Sequence, residues 1–255
     1  MRLLKRHRSL VLGLSGLAGF LAVWELATAT LRLVDPLFLS APSVILSEFG
    51  SLLRSSELNP HLWASLKEFS VALALAIVAG VPLGLLLGRL TILEELLDPF
   101  IMAFYSMPKV ALLPLFLVWF GIGFTSIFTL VFVMAVFPII INCLAGAKTV
   151  NPALVEAARV FGAGEKDIFV LVVWPSTLPL ILTGIRLGLG AALIGVVVAE
   201  FYIGNSGLGY VLVEAGATFR TPKIFVVVTL LMAAAIVLSK WLEWIERRLA
   251  PWKYR

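Results

Sequence analysis

Six stretches of this sequence run for about 20 residues with few charges, the length a helix needs to cross the roughly 30 Å hydrocarbon core of a bilayer. They fall near 10–31, 69–87, 100–121, 126–146, 178–201 and 224–242. Inside lipid a backbone must satisfy its own hydrogen bonds, so runs of this length predict helices. Composition agrees: 61% of residues are hydrophobic and 14% charged, against roughly half and a quarter in a soluble domain. The expectation is an all-α integral membrane protein, one domain over 1–255 with six transmembrane helices.

Charge placement gives the orientation. Arg2, Lys5, Arg6 and Arg8 precede the first run, which contains Glu25 near its far end. That run is longer than a signal-peptide core, so an uncleaved span is favoured over a leader cut near Ala27-Thr28-Ala29. Basic residues also gather around Lys148 and at Arg247, Arg248, Lys253 and Arg255, beside Trp241, Trp244 and Trp252. The positive-inside bias then puts both termini and the loop after the fourth run in the cytoplasm. It also accounts for the net charge of +5 without nucleic acid.

The intervening segments carry turn signals. Asp35-Pro36, Ala41-Pro42 and Asn59-Pro60 mark an outer segment in which 46–53 and 61–66 have helical spacing of apolar residues, predicting short interfacial helices. His61 has no partner ligand nearby in sequence and reads as a surface histidine. Gly80, Pro82, Gly84 and Gly88 make the second run a helix that another can approach closely. Pro108, Lys109 and Pro114 interrupt the third, Pro138 bends or loosens the fourth, and Cys143 reads as packing. A short re-entrant or interfacial helix is expected over 210–219.

The one long polar stretch is Asn151 to Pro175. Asn151 can cap a helix and Pro152 suits its first position, where a missing N–H costs nothing. Gly162 ends that helix by adopting a left-handed conformation. Glu165 and Asp167 open a second helix, which Pro175 is expected to close. Glu156-Ala157-Ala158, three residues, Gly162, nine residues, then Val172, Trp174 and Pro175 resemble the EAA loop of ATP-binding-cassette importer permeases, E-A-A-x3-G-x9-I-x-L-P. Val172 and Trp174 stand where that pattern has Ile and Leu.

Further stretches resemble the nitrate, sulfonate and taurine branch of that family, which also includes bicarbonate and vitamin-precursor permeases. They are Tyr105 to Leu115 (Y-S-M-P-K-V-A-L-L-P-L), Trp119 to Gly123, Leu39 to Ser43, Val198-Ala199-Glu200 and Gly207 to Tyr210. The resemblance implies a MetI-like, type I importer permease fold in a bacterial cytoplasmic membrane. It implies alternating access in a permease dimer, expected to be two copies of this chain, served by an extracytoplasmic solute-binding protein and two ATPase subunits. ATP and Mg would act on those subunits, with no cofactor, metal or catalytic residue in this chain, which holds no G-x-x-x-x-G-K-[ST] phosphate loop. Residues 151–175 would be the coupling loop, with Glu156, Ala157, Ala158 and Gly162 facing the ATPase.

Candidates for the translocation path are Lys109 and Arg186, suited to an anion, and Glu200, suited to a cation from another span or a second permease. Ion pairing or snorkelling is the plainer reading of each. An ATP-independent channel or secondary transporter is the competing class. It would use the few intramembrane charges for coupling, but the sequence lacks an evident inverted repeat. No histidine–carboxylate cluster or activated nucleophile suggests an enzyme.

Overall fold

A computed structural model of the chain describes residues 2–251, with side chains from residue 11 onward. Arg2, Lys5, Arg6, His7 and Arg8, and the tail residues Trp252, Lys253 and Arg255, lie outside the described side chains. The described residues form helices α1 (Arg2–Glu25), α2 (Pro42–Ser55), α3 (Asn59–Arg89), α4 (Thr91–Ser106), α5 (Leu113–Phe120), α6 (Phe124–Lys148), α7 (Pro152–Val160), α8 (Glu165–Ile168), α9 (Trp174–Ile203), α10 (Leu208–Ala217) and α11 (Thr221–Leu249).

Among the described residues, five helical stretches are long and apolar enough to cross a membrane: Val11–Thr30, Asn59–Arg89, Phe124–Lys148, Glu165–Ile203 and Thr221–Leu249. Helix α4 and the segment Lys109–Phe120, bent by 91° at the break between them, make a sixth if the pair is one span. The interruption expected at Pro108 and Lys109 within 100–121 is this break, which falls between Ser106 and Lys109. Pro108 forces the residue before it out of helical geometry, and Met107 is extended at ψ 140°.

Two expectations change. Residues 61–66 are not a separate interfacial helix but the first turns of α3, whose 31 residues extend about 46 Å and outreach the hydrocarbon layer. Pro175 does not end a helix. A π-helical turn, Phe169–Val173, joins α8 to α9, and the Trp174 N–H bonds to the Phe169 carbonyl. Pro175 then occupies the first turn of α9, where its missing N–H is cheap. The stretch from Glu165 to Ile203 is therefore one span that starts inside the polar loop.

The chain divides into two compact units. In the first, Met1–Asn59 with Val211–Leu231, the Glu25 carboxylate accepts from the Ser43 N–H at 3.0 Å and its hydroxyl at 2.7 Å. Lys223, 1% exposed, pairs with Glu57 at 2.7 Å and Glu214 at 3.4 Å. Trp24 packs on Phe225 with centroids 5.5 Å apart.

The second unit, Pro60–Tyr210 with Met232–Arg255, is built on α6, which runs unbroken through Pro138. A Cβ on Gly84 would lie 2.5 Å from the Ile140 carbonyl oxygen and 2.6 Å from Cβ of Cys143. One on Gly80 would meet Ile139 at 3.0 Å, and one on Gly88 would strike Ala147. From α9, a Cβ on Gly184 would meet Asn142 at 2.9 Å, and one on Gly188 would meet Ile139 at 2.9 Å and the Ala135 carbonyl at 3.0 Å. Residues 136, 140, 143 and 147 form one stripe of α6 and 135, 139, 142 and 146 another, rotated by about 100°. α3 and α9 thus pack on adjacent stripes through their glycines, with Ile139 between them.

Gly84→Ala is expected to destabilise the purified protein by about 1–3 kcal/mol, because the obstructing atoms belong to backbone and Cβ and cannot swing away. Gly190→Ala, where nothing lies within 4 Å of the added carbon, should be neutral or slightly stabilising. Thermal melting of both variants in one detergent checks the contrast.

Candidate functional site

The polar loop folds as a rigid corner. Asn151 Oδ1 accepts from the Ala153 N–H at 3.0 Å, and Pro152 takes the first position of α7. At the other end the Gly162 N–H bonds to the Arg159 carbonyl at 2.9 Å and the Ala163 N–H to the Ala158 carbonyl at 3.0 Å, with Gly162 at φ +82°. This pair of bonds is the Schellman arrangement, which needs a left-handed residue at its centre. Arg159 and Glu165 then bridge the turn at 2.9 Å, and Asp167 accepts from the Gly164 N–H at 3.3 Å.

Of the residues singled out in the sequence, Glu156, Ala157 and Gly162 are exposed and Ala158 is half-buried. The corner also presents two apolar side chains to the outside, Val160 at 85% exposure and Phe161 at 90%. The sequence reading did not include them, although an apolar pair directly before a turn glycine in a polar loop was the available signal. Beside the corner lies a groove of about 480 Å³ walled by Arg89 of α3, Ala147 of α6 and Val155, Glu156, Arg159 and Glu165. The Arg89 guanidinium stands 5.0 Å over the Phe169 ring, and Lys148 pairs with Glu94. The ends of α3, α4 and α6 are therefore fastened around the loop.

The three path candidates are not brought together. Lys109 sits at the 91° break, where its ammonium donates to the Tyr105 carbonyl at 2.9 Å and lies 5.4 Å over the Tyr105 ring and 5.7 Å over Phe137. Arg186 is ion-paired with Glu246 of α11, whose side chain is 2% exposed. Glu200 is fully buried, about 21 Å along α9 from Arg186. Among the described residues no cation pairs with it. Its Oε2 accepts from the Gly209 N–H at 2.7 Å, and its carboxyl faces that of Glu68, a residue the sequence reading passed over. His61 is half-buried rather than a free surface group: Nδ1 accepts from the Gly207 N–H at 3.2 Å and the ring stacks on Tyr210.

Residues 80–252 match the family of binding-protein-dependent transport system inner membrane components. The taurine transport system permease protein TauC of Escherichia coli (strain K12) is 34% identical over 250 residues, 96% of this chain and 90% of that protein. The chain belongs to this permease family. Among further relatives, the formylaminopyrimidine transport permease protein ThiX of Halalkalibacterium halodurans is 31% identical, covering 91% of this chain and 92% of its own. In fold the permease is similar to a chain of the inward-facing MetNI methionine ABC transporter, with a TM-score of 0.66 at 22% identity over 75% of this chain and 95% of that one. The chain is thus a transport subunit and not an enzyme, and family membership implies an ATPase on a separate subunit.

In this permease Gly162→Val should cost about 1–3 kcal/mol locally, because a β-branched residue is strained at positive φ. Amide hydrogen exchange at residues 162 and 163 should accelerate about tenfold or more. Gly162→Asn, which tolerates the left-handed region, should change it far less, and Arg159→Ala should remove less than about 1 kcal/mol.

Proposed function

We propose that the α7–Gly162–α8 corner docks onto a separate ATPase subunit and passes its movement to the transmembrane helices. The observation that carries this reading is the exposed Val160–Phe161 pair on a corner held rigid by hydrogen bonds. These two are the most exposed large apolar side chains of the loop, and such groups mark a surface awaiting a protein partner. Glu156 adds a charge for a basic residue of that partner, and Ala157 allows close approach.

In this reading the corner lies in the cytoplasm of a bacterium with both chain termini. Arg89, Lys148, Arg159, Lys166, Arg247 and Arg248 then share one side, in keeping with the positive-inside bias. Two copies of the chain form the path, two ATPase subunits bind Mg-ATP and draw together, and a solute-binding protein delivers cargo to the outer face. Each ligand drives the cycle only by preferring one of the two conformations. The solute is a small molecule of the class carried by the relatives, with sulfonates first because Lys109 offers a cation at the broken span. Irregular backbone at membrane depth is tolerated where protein or water surrounds it, which suits a path-lining position. Arg186 and Glu200 already have partners within the chain and serve structure in this account.

Copurification from the native membrane tests the docking. Phe161→Asp should lose the ATPase subunit while the permease itself still purifies as a monodisperse species, and Phe161→Leu should retain it. Equal ATPase recovery with Phe161→Asp would overturn the assignment. In reconstituted complexes Lys109→Glu is expected to lower ATP-driven taurine uptake tenfold or more with ATPase binding intact.

A further inference from the structure

Helices α3 and α9, seated on neighbouring stripes of α6, leave an apolar groove between them. Its volume is about 660 Å³, with Val78, Pro82 and Leu86 of α3 on one wall and Leu178 and Ile185 of α9 on the other. Val78 is 69% exposed and Leu86 47%, so the groove opens outward instead of into the core. Every side chain that lines it is apolar or aromatic except one, Arg89.

The dimensions match a lipid. Arg89 lies 11 positions beyond Val78 and Ile185 lies 11 beyond Trp174, about 17 Å of helix on each wall. The hydrocarbon of one leaflet is about 15 Å deep, half of the roughly 30 Å core. Spread over 17 Å, 660 Å³ is a mean cross-section of about 39 Å², or about 7 Å across. Extended acyl chains fit that width, whereas a helix with its side chains needs about 10–12 Å.

Charge selects the headgroup. The Arg89 guanidinium lies 5.0 Å over the Phe169 ring, a contact that uses its flat face and leaves its N–H edge for another group. Among the described residues no carboxylate is ion-paired with it. Glu156 and Glu165 share the neighbouring groove with Arg89, but Glu165 is held by Arg159 at 2.9 Å and Glu156 makes no ion pair. Trp174 lines the same end, and indole rings favour the depth of lipid headgroups. A guanidinium with a free edge beside an apolar slot suits a phosphate that carries acyl chains.

We propose that the groove binds one anionic phospholipid from the leaflet beside the polar loop, with its phosphate on Arg89 and an acyl chain between α3 and α9. Phe169 belongs to the π-turn and also lines the groove, so the bound lipid braces that turn against α3. The assignment needs only helices that span a membrane, and it stands or falls independently of docking by the Gly162 corner.

Native mass spectrometry of the full-length protein in detergent, titrated with dioleoyl phosphatidylglycerol or zwitterionic dioleoyl phosphatidylcholine, reads the site. The wild type should bind one phosphatidylglycerol per chain about fivefold or more tightly than phosphatidylcholine. Arg89→Gln should lose that preference while still taking up phosphatidylcholine. Val78→Trp, which fills the far end of the groove, should weaken both lipids alike. In the wild type alone, phosphatidylglycerol with a photoactivatable diazirine in its acyl chain should label residues 78–86 or 178–185, which locates the site even where a variant fails to fold. Equal affinity of the wild type for the two lipids, a preference that survives Arg89→Gln, or labelling confined to other helices would overturn the proposal. So would a Val78→Trp variant that splits a dimer and leaves lipid binding unchanged, because a second copy would then occupy the groove.

Discussion

The structure depends on how closely α3 and α9 approach α6. In a bilayer apolar side chains gain little by leaving lipid, so helices associate through close packing and hydrogen bonds. Gly80, Gly84 and Gly88 on one partner, and Gly184 and Gly188 on the other, let backbone meet backbone around Ile139. The alternative of large side chains at these positions would hold the helices apart and remove the many small dispersion contacts that fasten them. Helices seated this way move together or not at all, because a packed interface has discrete arrangements rather than a continuum.

That packing gives the polar loop its mechanical meaning. The groove beside the Gly162 corner is walled by Arg89 and Ala147, the ends of the two helices that pack through Gly88. On its other side, α8 runs through the π-helical turn into α9 without a linker, giving 39 residues of continuous helix. A displacement applied at the corner has no floppy segment in which to dissipate. The π-turn at Phe169–Val173 is the one departure from regular α-helix on that route, and such turns concentrate at functional positions.

Local features were legible in the sequence because their physics is local. Asn151 and Pro152 start a helix and Gly162 ends it for reasons contained within a few residues, and the apolar runs report helices long enough to cross a bilayer. Pro175 misled because a proline after a helical stretch reads as a terminator, whereas a π-turn before it converts the same residue into a helix start. The bend at Met107–Pro108 was visible as an interruption, but not its 91° angle. Contacts between distant segments were not legible. Arg186 and Glu246 are 60 residues apart, His61 and Gly207 are 146 apart, and only the fold brings Glu68 to Glu200.

The central claim is that the corner and α9 move as one rigid body. Spin labels at exposed Lys166 and Ile194, with buried Cys143 replaced by Ala and labelled chains diluted into unlabelled ones, give the relevant distance by pulsed electron resonance. The account predicts one narrow distribution near 42 Å, set by 28 residues of helix and unchanged when nucleotide is added to the assembled transporter. A broad distribution, or one that shifts by several ångström with nucleotide, would show that the π-turn flexes and that the loop does not drive α9 directly.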